Sequence, residues 1–249
     1  MHPGGIAGKV GNRYEAVWLI HHLVHLIDGR ASAITIEALG DEGAGFEFFV
    51  DRPTHREWHQ CKRQTSGTWT INRLAGEGVL TNFKAKIENS ASDTCLFVST
   101  DPSKQLKLLK EKLPAAQDVE QFEASLSGEE QTHWQNLRQQ LGIEADQAME
   151  WLARCDFLTF PETELMSSVL AELERWFASP AGDVLAALRS WIEDDGNFNR
   201  PIGRADLETC LAERAIAIKH YEFDRTIPGK LKAANRNYDE SYRPIGAGL

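Results

Sequence analysis

Apolar positions recur every three to four residues near the start of the chain. Val10, Tyr14, Val17, Trp18, Leu23, Val24 and Ile27 share one stripe, which predicts an amphipathic helix over 9–28 with Gly29 as its stop. The period then falls to two. Residues 33–38 alternate with β-branched side chains and predict a strand. A loop-forming run, 41–45, separates it from a second strand at 46–50. A turn at 51–54 leads to a third strand at 57–63. A polar loop at 64–68 precedes a helix at 71–88, and the continuous apolar run 94–99 suits a buried strand. The order helix, three strands, helix, strand predicts an α/β fold: a mixed sheet with helices on its faces.

After Pro102 the period stays helical. Leu106 and Leu109; Trp134, Leu137 and Leu141; Trp151 and Leu152; Leu165, Val169 and Leu173; and Val184, Leu188 and Trp191 mark successive amphipathic helices. The run 157–160 interrupts them as one more candidate strand, and a last short helix is expected over 206–215. The tail 233–249 carries no core pattern and reads as a linker or terminus, as at a boundary within a longer protein. The expected division is an α/β core over 1–102, a mainly helical region over 103–232, and the tail.

Composition narrows the function classes. The 249 residues are 42% hydrophobic and 26% charged, ordinary for a globular protein. Cys61, Cys95, Cys155 and Cys210 are far apart and form no CxxC pair, so neither a zinc cluster nor a disulfide framework is expected. No apolar run is long enough to span a bilayer, and residues 1–5 lack a signal-peptide pattern; the chain reads as cytoplasmic with no membrane partner. The net charge of −10 argues against coating the whole surface with nucleic acid. It leaves room for a local basic strip, with Lys62, Arg63 and Arg73 close in sequence and Lys84 and Lys86 on the next helix.

Candidate chemistry concentrates in the hairpin of the second and third strands. Glu47 lies among Phe46, Phe48, Phe49 and Val50, where a charge is costly without a purpose. On the next strand Gln60 and Lys62 are two apart, so they project to one face, expected beside Glu47. A carboxylate, an amide oxygen and a lysine suit metal-dependent phosphodiester cleavage, which needs a Lewis acid, a positioned water and compensation for developing charge. Glu47, Gln60 and the Cys61 backbone carbonyl are the expected metal ligands, Lys62 the group that orients the water, and Glu15 or Glu37 a further carboxylate. The plainer alternative is a cross-strand Glu–Lys ion pair.

The run 8–15, then Ile36-Glu37, Phe46-Glu47 and Gln60-Cys61-Lys62 in this order, resembles the PD-(D/E)xK nuclease superfamily. More narrowly, it is similar to the nuclease effector domains of bacterial anti-phage systems linked to cyclic-nucleotide signalling (CBASS) or to NACHT/STAND ATPases. The resemblance covers the first 100 residues, with Leu96-Phe97-Val98-Ser99-Thr100 as the strand after the crossover helix. It implies a restriction-endonuclease-like fold, Mg2+ or Mn2+ as cofactor, double-stranded DNA as substrate, and assembly as a homo-oligomer or within a larger sensor protein. Glu47 stands where the family usually has Asp, and Gln60 where it often has Glu. A neutral Gln lowers metal affinity, so the rival expectation is a catalytically inactive module that keeps the nuclease fold for assembly or binding.

Arg63, Trp69 and Arg73 are the expected DNA contacts, Trp69 because it falls in the loop after the lysine. The tryptophans on helical stripes (Trp18, Trp151, Trp176, Trp191) are expected in the core. His21 and His25 stand four apart, a spacing that can bind zinc, but no third ligand is evident in sequence. His59 is expected on the face opposite Gln60. The glycine-rich start lacks the GxxxxGK[ST] spacing of a phosphate-binding loop.

Overall fold

The computed structural model describes residues 13–37, 45–63 and 67–219. The glycine-rich start, the centre of the first loop and the tail 233–249 lie outside them.

Helix α1 (Arg13–Asp28) ends at Gly29, whose φ of 78° ordinary side chains resist. Three short strands follow: β1 (Ala33–Ile36), β2 (Phe48–Asp51) and β3 (Arg56–Lys62). The single helix expected over 71–88 is two, α2 (Ile71–Gly76) and α3 (Val79–Asn89). Gly78 divides them with a φ of 75°, a left-handed position that ends one helix and starts the next. Thr70 caps α2 by accepting the Arg73 N–H. Strand β4 (Thr94–Ser99) sits where its apolar run placed it.

The later region supplies α4 (Lys104–Lys112), α5 (Val119–Ser125), α6 (Gly128–Leu141) and α7 (Ala145–Arg154). Strand β5 (Cys155–Thr159), α8 (Glu162–Trp176), α9 (Ala181–Ile192), β6 (Pro201–Gly203) and α10 (Arg204–Glu213) complete the described chain.

All six strands form one mixed sheet in the order β5-β4-β3-β2-β1-β6. β6, β1, β2 and β3 pair antiparallel; β4 and β5 run parallel to β3. The sheet therefore crosses the compositional border at residue 102: β5 and β6 come from beyond it and form both edges. Two apolar layers cover the faces. On one, α1, α8, α9 and α10 pack over Ile34, Ile36, Phe48, Val50, Cys61 and Val98. On the other, α2 to α7 cover Phe49, Trp58, Cys95, Phe97 and Phe157. Among the described residues no helix is long and apolar enough to cross a membrane.

Candidate active site

The β2–β3 ladder pairs Phe48 with His59, Phe49 with Trp58 and Val50 with Glu57. Just before it, the Glu47 N–H also donates to the His59 carbonyl, at 3.0 Å. Glu47 and Phe48 thus share one partner residue, which is a β-bulge. The extra residue explains why Phe46 and Phe49, three apart, pack on one face of the sheet while Phe48 and Val50 pack on the other. Strict alternation would have sent Glu47 to the face of Phe49. The bulge turns it instead toward α1, beside Phe48.

There Glu47 shares a small cavity with two more carboxylates. Glu15 of α1 and Glu37 at the end of β1 line the same small cavity, about 40 Å³, with Ala16, Leu19, Ile36 and Phe48. Glu37 takes a positive φ of 42°, uncommon for a residue with a side chain, and its N–H donates to the Glu47 carbonyl at 2.8 Å. The Glu47 carboxylate reaches across to β3, where Oε2 accepts the Cys61 N–H at 2.8 Å. It takes the place of the strand backbone that the bulge carries away. Within a strand, the N–H and C=O of one residue point to the same edge. The Cys61 carbonyl therefore opens onto the same gap and adds an oxygen donor to it.

The electrostatics are those of crowded acids. Burial pushes the Glu47 carboxyl up to about 8, and the charge of Glu15 adds to the rise; the Cys61 N–H and Lys62 pull it back down. Burial also holds the Cys61 thiol well above its usual range.

The remaining candidates separate. Lys62, at the end of β3, does not line the cavity: two residues after Gln60, it alternates onto the same face of the sheet, is partly exposed, and acts on Glu47 and Cys61 only through its charge. Gln60 does not line the cavity. It alternates onto the face of Trp58 and is 2% exposed, so the bulge, by turning Glu47 over, parts the two residues that the sequence set side by side. Its Oε1 has no hydrogen-bond partner among the described residues. Trp69 is also a correction: at 3% exposure it is a core residue, its ring edge-on to Phe97 with centroids 5.1 Å apart. The aromatic area expected to meet a base is spent on the core. Arg73 lies over the Trp69 ring, 4.6 Å from its centroid, and Arg63 pairs with Glu162 of α8 at 3.1 Å.

Sequence reasoning missed the polar network beneath the site. His59 is fully buried on the α1 face, the side expected for it. Its Nδ1 accepts the Trp18 indole N–H at 3.1 Å. An indole only donates, so the ring proton sits on Nε2 and points at Glu57 Oε1, 2.8 Å away. Arg52 pairs with the same carboxylate at 2.7 Å. Burial alone would raise the Glu57 carboxyl, but His59 and Arg52 outweigh it and hold it well below the usual range. The network holds the ring of His59, the residue whose carbonyl anchors the Glu47 N–H. The sequence signal was faint: Glu57 and His59 at i, i+2 on one strand.

No family model matches the chain, and no curated protein matches it significantly. Solved structures do. The Cap4 SAVED/CARF-domain containing receptor of Acinetobacter baumannii is 16% identical, with a TM-score of 0.50 over 82% of this chain and 47% of that one. The same receptor with the cyclic trinucleotide 3'3'3'-cAAA gives a TM-score of 0.51. The Cap4 SAVED/CARF-domain containing receptor of Moraxella osloensis is 17% identical, with a TM-score of 0.50 over 88% of this chain and 49% of that one. Identity this low establishes likeness of fold alone. The chain spans about half the length of these receptors.

Proposed function

We propose that the protein is a metal-dependent endonuclease that cuts double-stranded DNA, and that it serves as the effector part of an anti-phage defence protein. The observation that carries this reading is that Glu15, Glu37 and Glu47 line one cavity at the bulge, where Glu47 accepts the Cys61 N–H. Oxygen donors that line one cavity fit a hard divalent cation such as Mg2+ or Mn2+. Glu15, Glu47 and the Cys61 carbonyl would hold it, with Glu37 at the rim. When bound, such an ion supplies Lewis acidity at a phosphate oxygen. Lys62 orients the attacking water and offsets charge that grows on the phosphate oxygens. The His59–Glu57–Arg52 network keeps β3 rigid under the Glu47 bulge. The defence setting rests on the sequence resemblance, together with likeness of fold to a receptor whose structure is known with and without a cyclic trinucleotide.

The place of Gln60 favours a second reading, a module that keeps the fold without cutting: in this structure it contributes nothing to the cavity. One experiment separates the two. Supercoiled plasmid is incubated with the chain and Mg2+ or Mn2+, with and without a cyclic trinucleotide, using wild type and Lys62→Ala. Cutting by wild type and a loss of roughly 100-fold or more in the variant, with an unchanged circular dichroism spectrum, is the expected result. Equal cutting by Lys62→Ala would remove Lys62 from the site. No cutting in any condition, combined with no Mn2+ binding, would favour the non-catalytic module.

A further inference from the structure

A second group of chemistry-bearing side chains lies on the outer side of α1, apart from the acidic cavity. His21 and His25 stand one turn apart on α1, and Glu172 faces them from α8. One donor atom from each lies within 4.8 Å of the other two. The distance from His21 Nδ1 to Glu172 Oε2 is 2.7 Å. We infer that His21, His25 and Glu172 form a binding site for a divalent transition metal of the zinc class, with α1 and α8 clamped together by the ion.

Three observations carry the inference. Two imidazoles and a carboxylate form a mixed N/O donor set that suits Zn2+ and its neighbours, and a poor one for Mg2+. The His25 ring is 5% exposed, and its Nε2 has no partner among the described residues. A buried donor left unmatched is costly, so a ligand there meets a group already desolvated. Finally, the side chains of His21 and Glu172 keep 24% and 18% of their surface exposed, which leaves a path for an ion and room for water as a fourth ligand.

Two neighbouring arginines border the site: Arg30 pairs with Asp28 at 2.6 Å and its Nη2 reaches Glu172 Oε1 at 3.4 Å, on the oxygen opposite the one that meets His21, while Arg52 pairs with Glu57 at 2.7 Å. Arg52 also donates to His25 Nδ1 at 3.0 Å, which places the ring proton on Nε2. Loading through Nε2 moves that proton to Nδ1, and Arg52 retains Glu57 and the Arg30 carbonyl at 3.3 Å. The adjacent trio His22, Glu57 and His59 has similar spacing but is different in kind: Trp18 and Glu57 already occupy both nitrogens of His59.

The test is calorimetric titration of the tag-free chain with Zn2+ in excess Mg2+, repeated with Co2+ for its absorption spectrum. His21→Ala and Glu172→Gln are the variants, because both side chains are partly exposed, and an unchanged circular dichroism spectrum is required of each. The expected result is one equivalent of Zn2+, a tetrahedral Co2+ spectrum, a higher Tm with metal, and affinity at least tenfold weaker in each variant. Absence of stoichiometric binding, or binding of equal strength in both variants, would overturn the assignment. DNA cleavage is not read, so the outcome is independent of the function proposed above.

Discussion

Replacing Glu47 by Gln should stabilise the metal-free protein, and by an amount that grows with pH. The carboxyl is raised from an ordinary 4.5 to about 8 in the fold. Below pH 4.5 both folded and unfolded chains hold the proton, and the group makes no difference. Between the two values the unfolded chain releases the proton while the folded chain keeps it, so stability falls as pH rises through this window. Each unit is worth about 1.4 kcal/mol, which gives a penalty of about 3 kcal/mol at pH 7 and about 5 kcal/mol above pH 8. Partial exposure of Glu47 and a weaker bond from the Cys61 N–H reduce the recoverable part. A gain of about 1–3 kcal/mol at pH 8.5, shrinking toward zero at pH 4.5, is expected. The assay is urea unfolding in EDTA at pH 4.5, 7 and 8.5 for both proteins. A variant no more stable than wild type at pH 8.5, or a difference that does not vary with pH, would refute the reasoning. The same pKa makes about nine-tenths of Glu47 protonated at pH 7. Divalent metal binding should then release close to one proton, read by calorimetry in two buffers of different ionisation enthalpy.

Two further outcomes follow from the same geometry. Burial keeps His22, His25 and His59 below their ordinary range, so they stay neutral in the fold but charge in the unfolded chain below about pH 6.5. Stability should fall as pH drops below 6.5, by about 2 kcal/mol at pH 5 for His25 with His22 and His59 acting in the same direction, and unfolding midpoints that stay flat from pH 7 to 5 would contradict their burial. Trp69→Ala should cost about 3–5 kcal/mol by opening a cavity against Phe97, whereas Arg63→Ala should change stability by under 1 kcal/mol. A Trp69→Ala protein that unfolds at the wild-type urea concentration would place that ring outside the core.

The sequence carried a large share of the architecture, because element type follows from period. The stripe from Tyr14 to Ile27 gave α1, and the apolar run 94–99 gave β4 to the residue. Glu47 and Lys62 were legible as polar groups among apolar neighbours, where desolvation demands a purpose. Hidden were the features that depend on contact between distant segments. No local pattern distinguishes a helix of 18 residues from two broken at Gly78, since a glycine within a helical period is tolerated as often as it ends one. Composition marked a border at residue 102, but it cannot say that β5 and β6 will pair with strands formed earlier; backbone hydrogen bonding, which is blind to side-chain type, decided that.

The site divides along the same line. By itself the sequence determined which side chains are chemically able to act: Glu15, Glu37, Glu47, Gln60, Lys62 and the His21–His25 pair. The tertiary structure alone decided which of them meet. One extra residue at Glu47 turned its carboxylate toward Glu15 and away from Gln60, because side-chain direction in a strand has a period of two and a single insertion inverts it. Packing of α8 against α1 brought Glu172 to the histidine pair across some 150 residues of chain, a partner that no spacing rule could have named.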